Sequence, residues 1–337
     1  MRTFVVCMFL VCSRSLFILS YTAREEKMLV TVILLLIGFV LLVKGSDVFV
    51  DGSSSLARLL GIPAVIVGLT IVSMGTSAPE AAVSITAGIK GSNEIALANL
   101  VGSNTFNMLV VAGVSAVIAP FAVDRMVIKR DFPVCLGIMA LVTFMCIDGT
   151  VSRSDGLILL AVFLLYITCL VLKAVRDRAA VENGSEEEPM SPFKSIVFIA
   201  IGIAAVIFGG QLVVNSAKII AAAFGMSENL IGLTIVAIGT SLPELVTSIV
   251  AARKGESEIA IGNVVGSNIF NLAFILGFSS SVTSIAVIPD AFIDTCIMLG
   301  ATAIGYIMCI CGKKLTRMNG LMFTAMYIAY TAYLIVR

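Results

Sequence analysis

The chain has 337 residues, 59% of them hydrophobic and 13% charged, with a net charge of +1 and a mean hydropathy of +1.09. A soluble domain carries roughly a quarter charged residues, so an aqueous globular protein is excluded, and basic residues scattered among loops exclude a nucleic-acid role. The absence of histidine excludes a His-ligated transition metal and leaves any proton coupling to carboxylates.

Residues 1–27 hold an apolar stretch interrupted by Arg14 and followed by Arg24, Glu25, Glu26 and Lys27, too broken for a good span. A signal peptide and an over-long start both suit it, and it is set apart as an N-terminal extension. From Met28 onward, apolar runs bounded by charges, Gly and Pro predict ten spans, at about 29–55, 63–89, 94–118, 131–147, 156–174, 195–222, 228–252, 258–284, 287–311 and 318–336. The first five make a repeat over 28–174 and the last five a second over 195–337. The polar stretch 175–194 between them, with Glu186, Glu187 and Glu188, reads as a solvated linker. The eight cysteines lie in apolar surroundings without CxxC spacing and read as small buried side chains.

Short cytoplasmic loops collect Lys and Arg. Placing residue 28 outside puts Arg58, Arg125, Lys129, Arg130, Lys173, Arg176, Arg178, Lys194, Arg253, Lys254, Lys313, Lys314 and Arg317 inside. The outer side receives Arg24, Lys27, Lys90, Arg153, Lys218 and Arg337. The expectation is a multi-pass cell (inner) membrane protein with both termini outside and the linker in the cytoplasm.

Sliding the sequence on itself by 164 residues sets Gly45 on Gly209, Gly61 on Gly225 and GLTIVSMGTSAPE (68–80) on GLTIVAIGTSLPE (232–244). Without a gap, NLVGSNTFN (99–107) meets NVVGSNIFN (263–271), and about 27 of the 49 positions from 68 to 116 are identical. Five spans per copy, an odd number, make the second copy enter the membrane from the opposite side. The fold class is therefore all-α integral membrane, ten transmembrane helices as two inverted five-helix repeats. Such repeats bring equivalent residues together near the midplane and suggest alternating access.

Each repeated segment places a carboxylate, Glu80 or Glu244, within an apolar span. An acid there costs at least about 2.5 to 3.5 kcal/mol on insertion scales, so a cation or proton is expected to neutralise it. The alternative is a fixed basic partner, for which Lys44 is the obvious candidate. Ser73, Thr76, Ser77 and Ser84 stand at helical offsets from Glu80, as Ala237, Thr240, Ser241 and Ser248 do from Glu244. A strip of hard oxygen donors suits Ca²⁺ and Na⁺. Pro79 and Pro243 free the carbonyls of Gly75 and Gly239 and predict discontinuous helices. Asn99, Ser103 and Asn107 are spaced by four, as are Asn263, Ser267 and Asn271. These side chains suit either ligation, favoured for Asn107 and Asn271, or packing, favoured for Asn99 and Asn263, with Gly102 and Gly266 allowing close approach.

The two GTSxPE and two GSNxFN motifs, in inverted halves, resemble the alpha repeats of the sodium/calcium exchanger family within the cation/calcium antiporters, over essentially all of 28–337. The resemblance implies a ten-helix fold with four central ion sites between spans 2, 3, 7 and 8. It implies Glu80 and Glu244 as shared carboxylates, Asn107 and Asn271 beside them, and Thr76, Ser77, Ser103, Thr240, Ser241 and Ser267 as further oxygens. Ser73 and Ala237 contribute backbone carbonyls. Some members carry Asp where this chain has Asn271, so the centre here holds two carboxylates, and the departure weakens the carry-over of any potassium or proton dependence that rests on a third.

The expected activity is secondary active exchange of Ca²⁺ for Na⁺ by alternating access, with spans 1 and 6 rocking over the other eight, and the resemblance implies three Na⁺ per Ca²⁺. The expected partners are those ions and the lipid bilayer, with no cofactor and a functional monomer. A proton- or potassium-dependent calcium antiporter of the same fold is the alternative. An intramembrane hydrolase lacks a base beyond the glutamates, and a channel does not call for inverted, discontinuous helices.

Overall fold

The computed structural model describes residues 2–89, 93–177, 188–226 and 237–336. Helix α1 (Arg2–Leu60) includes the N-terminal extension and the first span, the membrane-length apolar part being Met28–Leu60. Next come α2 (Ala64–Thr76) and α3 (Ala78–Ile89), which meet at a bend of 53°. Then follow α4 (93–118), α5 (Val127–Asp148) and α6 (Arg153–Asp177). The second half repeats the series as α7 (Pro192–Ala223), α8 (Ala237–Thr240), α9 (Leu242–Arg253), α10 (Ser257–Val282), α11 (Pro289–Gly312) and α12 (Arg317–Val336).

Among the described residues, eight helices are long and apolar enough to cross a bilayer, nine with the bent pair α2–α3. Of the seventh predicted span, 228–252, residues 228–236 lie outside the described ones, as do 178–187 of the linker. The fourth span begins at Val127 instead of 131, because Asp131 is buried and does not end a helix in water. The guanidinium of Arg130 donates to both its oxygens, at 2.7 and 3.0 Å, and the Tyr166 hydroxyl donates at 3.1 Å, so the charge is paired inside a helix whose end the apolar pattern set at Asp131.

The repeat is visible in how helices end. Gly61 and Gly225 both have positive φ, 62° and 83°. Behind each, an N–H reaches back five residues, from Ile62 to the Ala57 carbonyl and from Met226 to that of Ala221, both at 3.1 Å. This 6→1 closure needs a left-handed residue, which glycine adopts without strain.

Two short antiparallel pairs join loops that the ten-span reading puts on one side. Strand β1 (Phe121–Ala122) pairs with β4 (Lys314–Leu315), and β2 (Thr150–Val151) with β3 (Ile285–Ala286). Helix α10 is 94% buried and α4 72% over their apolar windows, against 22% for α1 and 28% for α7. The motif-bearing helices are thus the centre, and the glycine-bearing pair α1 and α7 lies outside with residues such as Leu36 and Phe208 exposed.

Those two outer helices meet backbone to backbone. Gly38 and Gly209 meet each other, while Gly45 and Gly52 of α1, at heptad spacing from Gly38, lie against Ala205–Val206 and Phe198–Ile199 of α7, and Gly202 of α7 lies against Phe49. A Cβ on Gly209 comes within 2.8 Å of the Gly38 carbonyl oxygen and the Leu42 nitrogen, neither of which is a movable side-chain tip. Gly209→Ala is therefore expected to cost about 1 to 3 kcal/mol of overpacking. Gly137→Ala, whose Cβ meets nothing within 4 Å among the described residues, should leave stability unchanged or slightly higher. Thermal melting of the two variants in detergent checks the contrast, and equal midpoints would remove the close crossing.

Candidate ion-binding site

The site forms where the two broken helices cross the two most buried ones. The chain breaks at Ser77 (φ −81°, ψ 9°) and at Ser241 (φ −92°, ψ 7°), each just ahead of its proline, as Pro79 and Pro243 predict. Directly after each break, the first turn of α3 or α9 carries Glu80 or Glu244. In α4 and α10 the backbone widens into π-helical turns over Asn107–Val111 and Phe270–Leu276, which turn Asn107 and Asn271 off the regular helical register.

Both glutamates are fully buried. Their hydroxyl partners are exchanged between the halves: Ser77 Oγ donates to Glu244 Oε1 at 2.7 Å, and its repeat equivalent Ser241 donates to Glu80 Oε1 at 3.0 Å. Ser103 adds a third donor, 3.3 Å from Glu80 Oε1, its oxygen 3.0 Å from that of Ser241. The expected strip along one continuous face of each broken helix is thereby corrected. The bend turns Thr76 and Ser77 away from Glu80 toward the other half, where the Thr76 hydroxyl donates to Asn263 Oδ1 at 3.0 Å.

Four buried oxygens in this cluster have no hydrogen-bond partner among the described residues: Glu80 Oε2, Glu244 Oε2, Asn107 Oδ1 and Asn271 Oδ1. They form two repeat-related pairs, one charged and one neutral. An unpaired buried acceptor costs about 1 to 3 kcal/mol, more for a carboxylate, so leaving four together is tolerable only if something positive joins them. Among the described residues no ion pair involves either glutamate, and Lys44, 77% exposed, pairs with Asp47 at 3.6 Å. The fixed-base alternative is removed for these residues.

The other predicted oxygens surround this core. Ser267 Oγ lies 3.5 Å from the Ser73 carbonyl, both residues being buried. Gly266 makes room for that approach, since a Cβ there comes within 2.7 Å of Leu69 and 2.8 Å of Ser73 Oγ, whereas one on Gly102 meets nothing within 4 Å among the described residues. Ala237 opens α8, and Thr240 closes it beside a cavity of about 180 Å³. Pro79, Gln211, Asn215, Lys218 and Pro243 also line that cavity. Asn99 and Asn263 tie helices together, donating to Ser84 at 3.0 Å and to Ser248 at 2.9 Å.

Two residues escaped the sequence reading. Asn104 and Asn268, equivalent under the repeat, hold the amides of Asn271 and Asn107. Their signal was present in GSNxFN, but each sits one position beyond the serine on a helix read at intervals of four, so helical spacing alone assigned them to another face.

Residues 30–172 and 194–336 each match the model of a family described as sodium/calcium exchanger protein. The chain is 31% identical to the sodium/calcium exchanger MaX1 of Methanosarcina acetivorans, over 90% of this chain and 98% of that one. It is 37% identical to the inner membrane protein YrbG of Escherichia coli (strain K12), over 84% of this chain and 89% of the relative. Among solved structures, one of the sodium-calcium exchanger NCX_Mj superposes with a TM-score of 0.81 at 32% identity, covering 91% of this chain and 99% of the other.

Proposed function

The chain belongs to the sodium/calcium exchanger family, and from that premise we propose how it exchanges Ca²⁺ for Na⁺ across a membrane as a secondary active antiporter. It is a multi-pass integral membrane protein and a transporter. The single observation that carries the site assignment is the quartet of orphaned oxygens from Glu80, Glu244, Asn107 and Asn271. Ca²⁺ takes six to eight oxygens. The quartet supplies four, and the hydroxyls of Thr76, Ser77, Ser103, Thr240, Ser241 and Ser267, with the carbonyls of Ser73 and Ala237, supply the remainder and the Na⁺ positions. Two carboxylates neutralise one Ca²⁺ or hold several Na⁺ helped by neutral donors, so the two ions compete for one set of ligands. No resident cofactor is needed.

Competition becomes exchange if access alternates. Helices α1 and α7, locked to each other through glycine, are the unit suited to move over the buried centre. At one end α1 is tied to the turn between α9 and α10. Lys254 Nζ lies 2.7 Å from Asp51, Arg58 lies 3.6 Å from Glu256, and Ser54 donates to Glu256. The cavity beside Thr240 reaches Lys218 near the opposite end of α7. With the termini outside and the linker cytoplasmic, as the loop charges favour, this is an arrangement closed to the cytoplasm with its cavity on the outer side. The translocating unit is the monomer in its bilayer.

Uptake of ⁴⁵Ca²⁺ into proteoliposomes, with sodium, potassium or proton gradients imposed one at a time, tests the reading. An outward sodium gradient should drive accumulation, and the other two should not. Kinship with proteins named sodium/calcium exchangers favours sodium over the proton- or potassium-coupled alternative. Uptake indifferent to sodium would overturn the assignment.

A further inference from the structure

We propose that Asn104 and Asn268 are positioning residues that fix which end of the Asn271 and Asn107 amides faces the ion. This rests on the reading of Asn107 and Asn271 as ligands. A carboxamide has two ends of nearly equal size and opposite hydrogen-bond character, and one that presents its NH₂ to a cation site repels the cation. Something must choose.

The choice on the Asn271 side can be followed atom by atom from a group with no freedom. The Asn268 backbone carbonyl can only accept, and Asn104 Nδ2 donates to it at 3.0 Å. That fixes the Asn104 amide, so its Oδ1 points the other way. Asn271 Nδ2 donates to this Oδ1 at 2.9 Å and reaches Ser103 Oγ at 3.2 Å. With both N–H groups engaged, Asn271 Oδ1 is the end left over, and it is one of the four orphaned acceptors. On the other side Asn107 Nδ2 donates to Asn268 Oδ1 at 3.2 Å, leaving Asn107 Oδ1 as a second. Asn268 thus serves both halves, with its backbone orienting Asn104 and its side chain orienting Asn107. All four asparagines are essentially fully buried, so water does not substitute for these bonds.

Such a role predicts a specific pattern of coupling. Asn104 should matter through Asn271 and not through Asn107, and Asn268 should couple to Asn107. Residues acting through one another are non-additive, whereas independent ones add. In full-length protein reconstituted into liposomes, Asn271→Ala and Asn107→Ala should each raise the KM for ⁴⁵Ca²⁺ about tenfold or more, and Asn104→Ala about five- to tenfold, the scale of one buried hydrogen bond. The double variant of Asn104→Ala with Asn271→Ala should lie within about twofold of Asn271→Ala alone, and the double with Asn107→Ala should show the product of the single effects.

A wild-type KM in both Asn271→Ala and Asn107→Ala would overturn the ligand reading itself. Weakened single variants with additive effects for Asn104 and Asn271 would overturn the clamp and leave the ligands standing. If Asn104→Ala is not monodisperse in detergent, Asn268→Ala read against Asn107→Ala makes the same test on the other pair. Failure of both to fold would assign these residues to packing and reject the orienting role.

Discussion

Glu80→Gln and Glu244→Gln are each expected to reduce sodium-driven ⁴⁵Ca²⁺ uptake to background, with the protein still folded in the membrane. The substitution is nearly isosteric, and the geometry says which atom changes. Glu80 Oε1 accepts from Ser241 and Ser103, and Glu244 Oε1 from Ser77. A glutamine keeps those bonds with its carbonyl oxygen. Its NH₂ then replaces the orphaned Oε2, so two hydrogens point at the space the ion should fill. The site's charge also falls from two negatives to one, and bound Ca²⁺ is left with an uncompensated positive charge in a buried setting. Breaking a buried charge pair costs about 3 to 5 kcal/mol, which is over a hundredfold in affinity at 1.4 kcal/mol per decade. Folding does not share the loss, because removing one of two buried carboxylates relieves repulsion in the empty state. Thermal stability without ions should hold or rise, and its increase on adding Ca²⁺ should vanish. Lys44→Gln, at an exposed position away from the cluster, is the control that keeps full exchange. Wild-type flux in either glutamine variant would remove that residue from the site.

The sequence exposed this site because its two halves are compared within one chain. A shift of 164 residues pairs Glu80 with Glu244 and Asn107 with Asn271, and an acid repeated inside an apolar span is expensive enough to demand a reason. Pro79 and Pro243 marked the breaks. What periodicity could not convey is what a break does to direction. Offsets from Glu80 placed Ser77 beside its own glutamate, whereas the bend delivers it to Glu244 in the other half. Asn104 and Asn268 were hidden for a related reason, since their partners are reached across the interface between α4 and α10 and through π-helical turns that break the regular register. Asp131 shows the limit at the level of fold. With Lys129 and Arg130 it looks like the end of a span, but the bidentate bond from Arg130 and the Tyr166 hydroxyl bury it and the helix runs on to Val127.

If the proposed site passes three Na⁺ per Ca²⁺, the neutral Asn271 amide leaves its charge small enough for voltage to report on it. With two ionised carboxylates and otherwise neutral donors, the Ca²⁺-loaded centre is neutral and a centre holding three Na⁺ carries one positive charge. The membrane potential therefore acts on the sodium limb and leaves the calcium limb alone. One charge crossing the field is worth about 2.3 kcal/mol per 100 mV, so the Ca²⁺ gradient held by sodium-driven uptake should shift by about 50-fold per 100 mV of imposed diffusion potential. Calcium self-exchange, measured in the same vesicles without sodium, should not respond. Asn271→Asp reverses this division when its carboxylate is ionised, because a third negative charge makes the sodium-loaded centre neutral and leaves the calcium-loaded one with a charge of minus one. Self-exchange then becomes voltage-sensitive. Acidification, by protonating the introduced carboxylate, should restore the wild-type pattern, since the neutral acid can also donate to Asn104 Oδ1, which the anion cannot. Voltage-sensitive self-exchange in the unmodified protein would mean that its centre carries a charge other than that of the two glutamates.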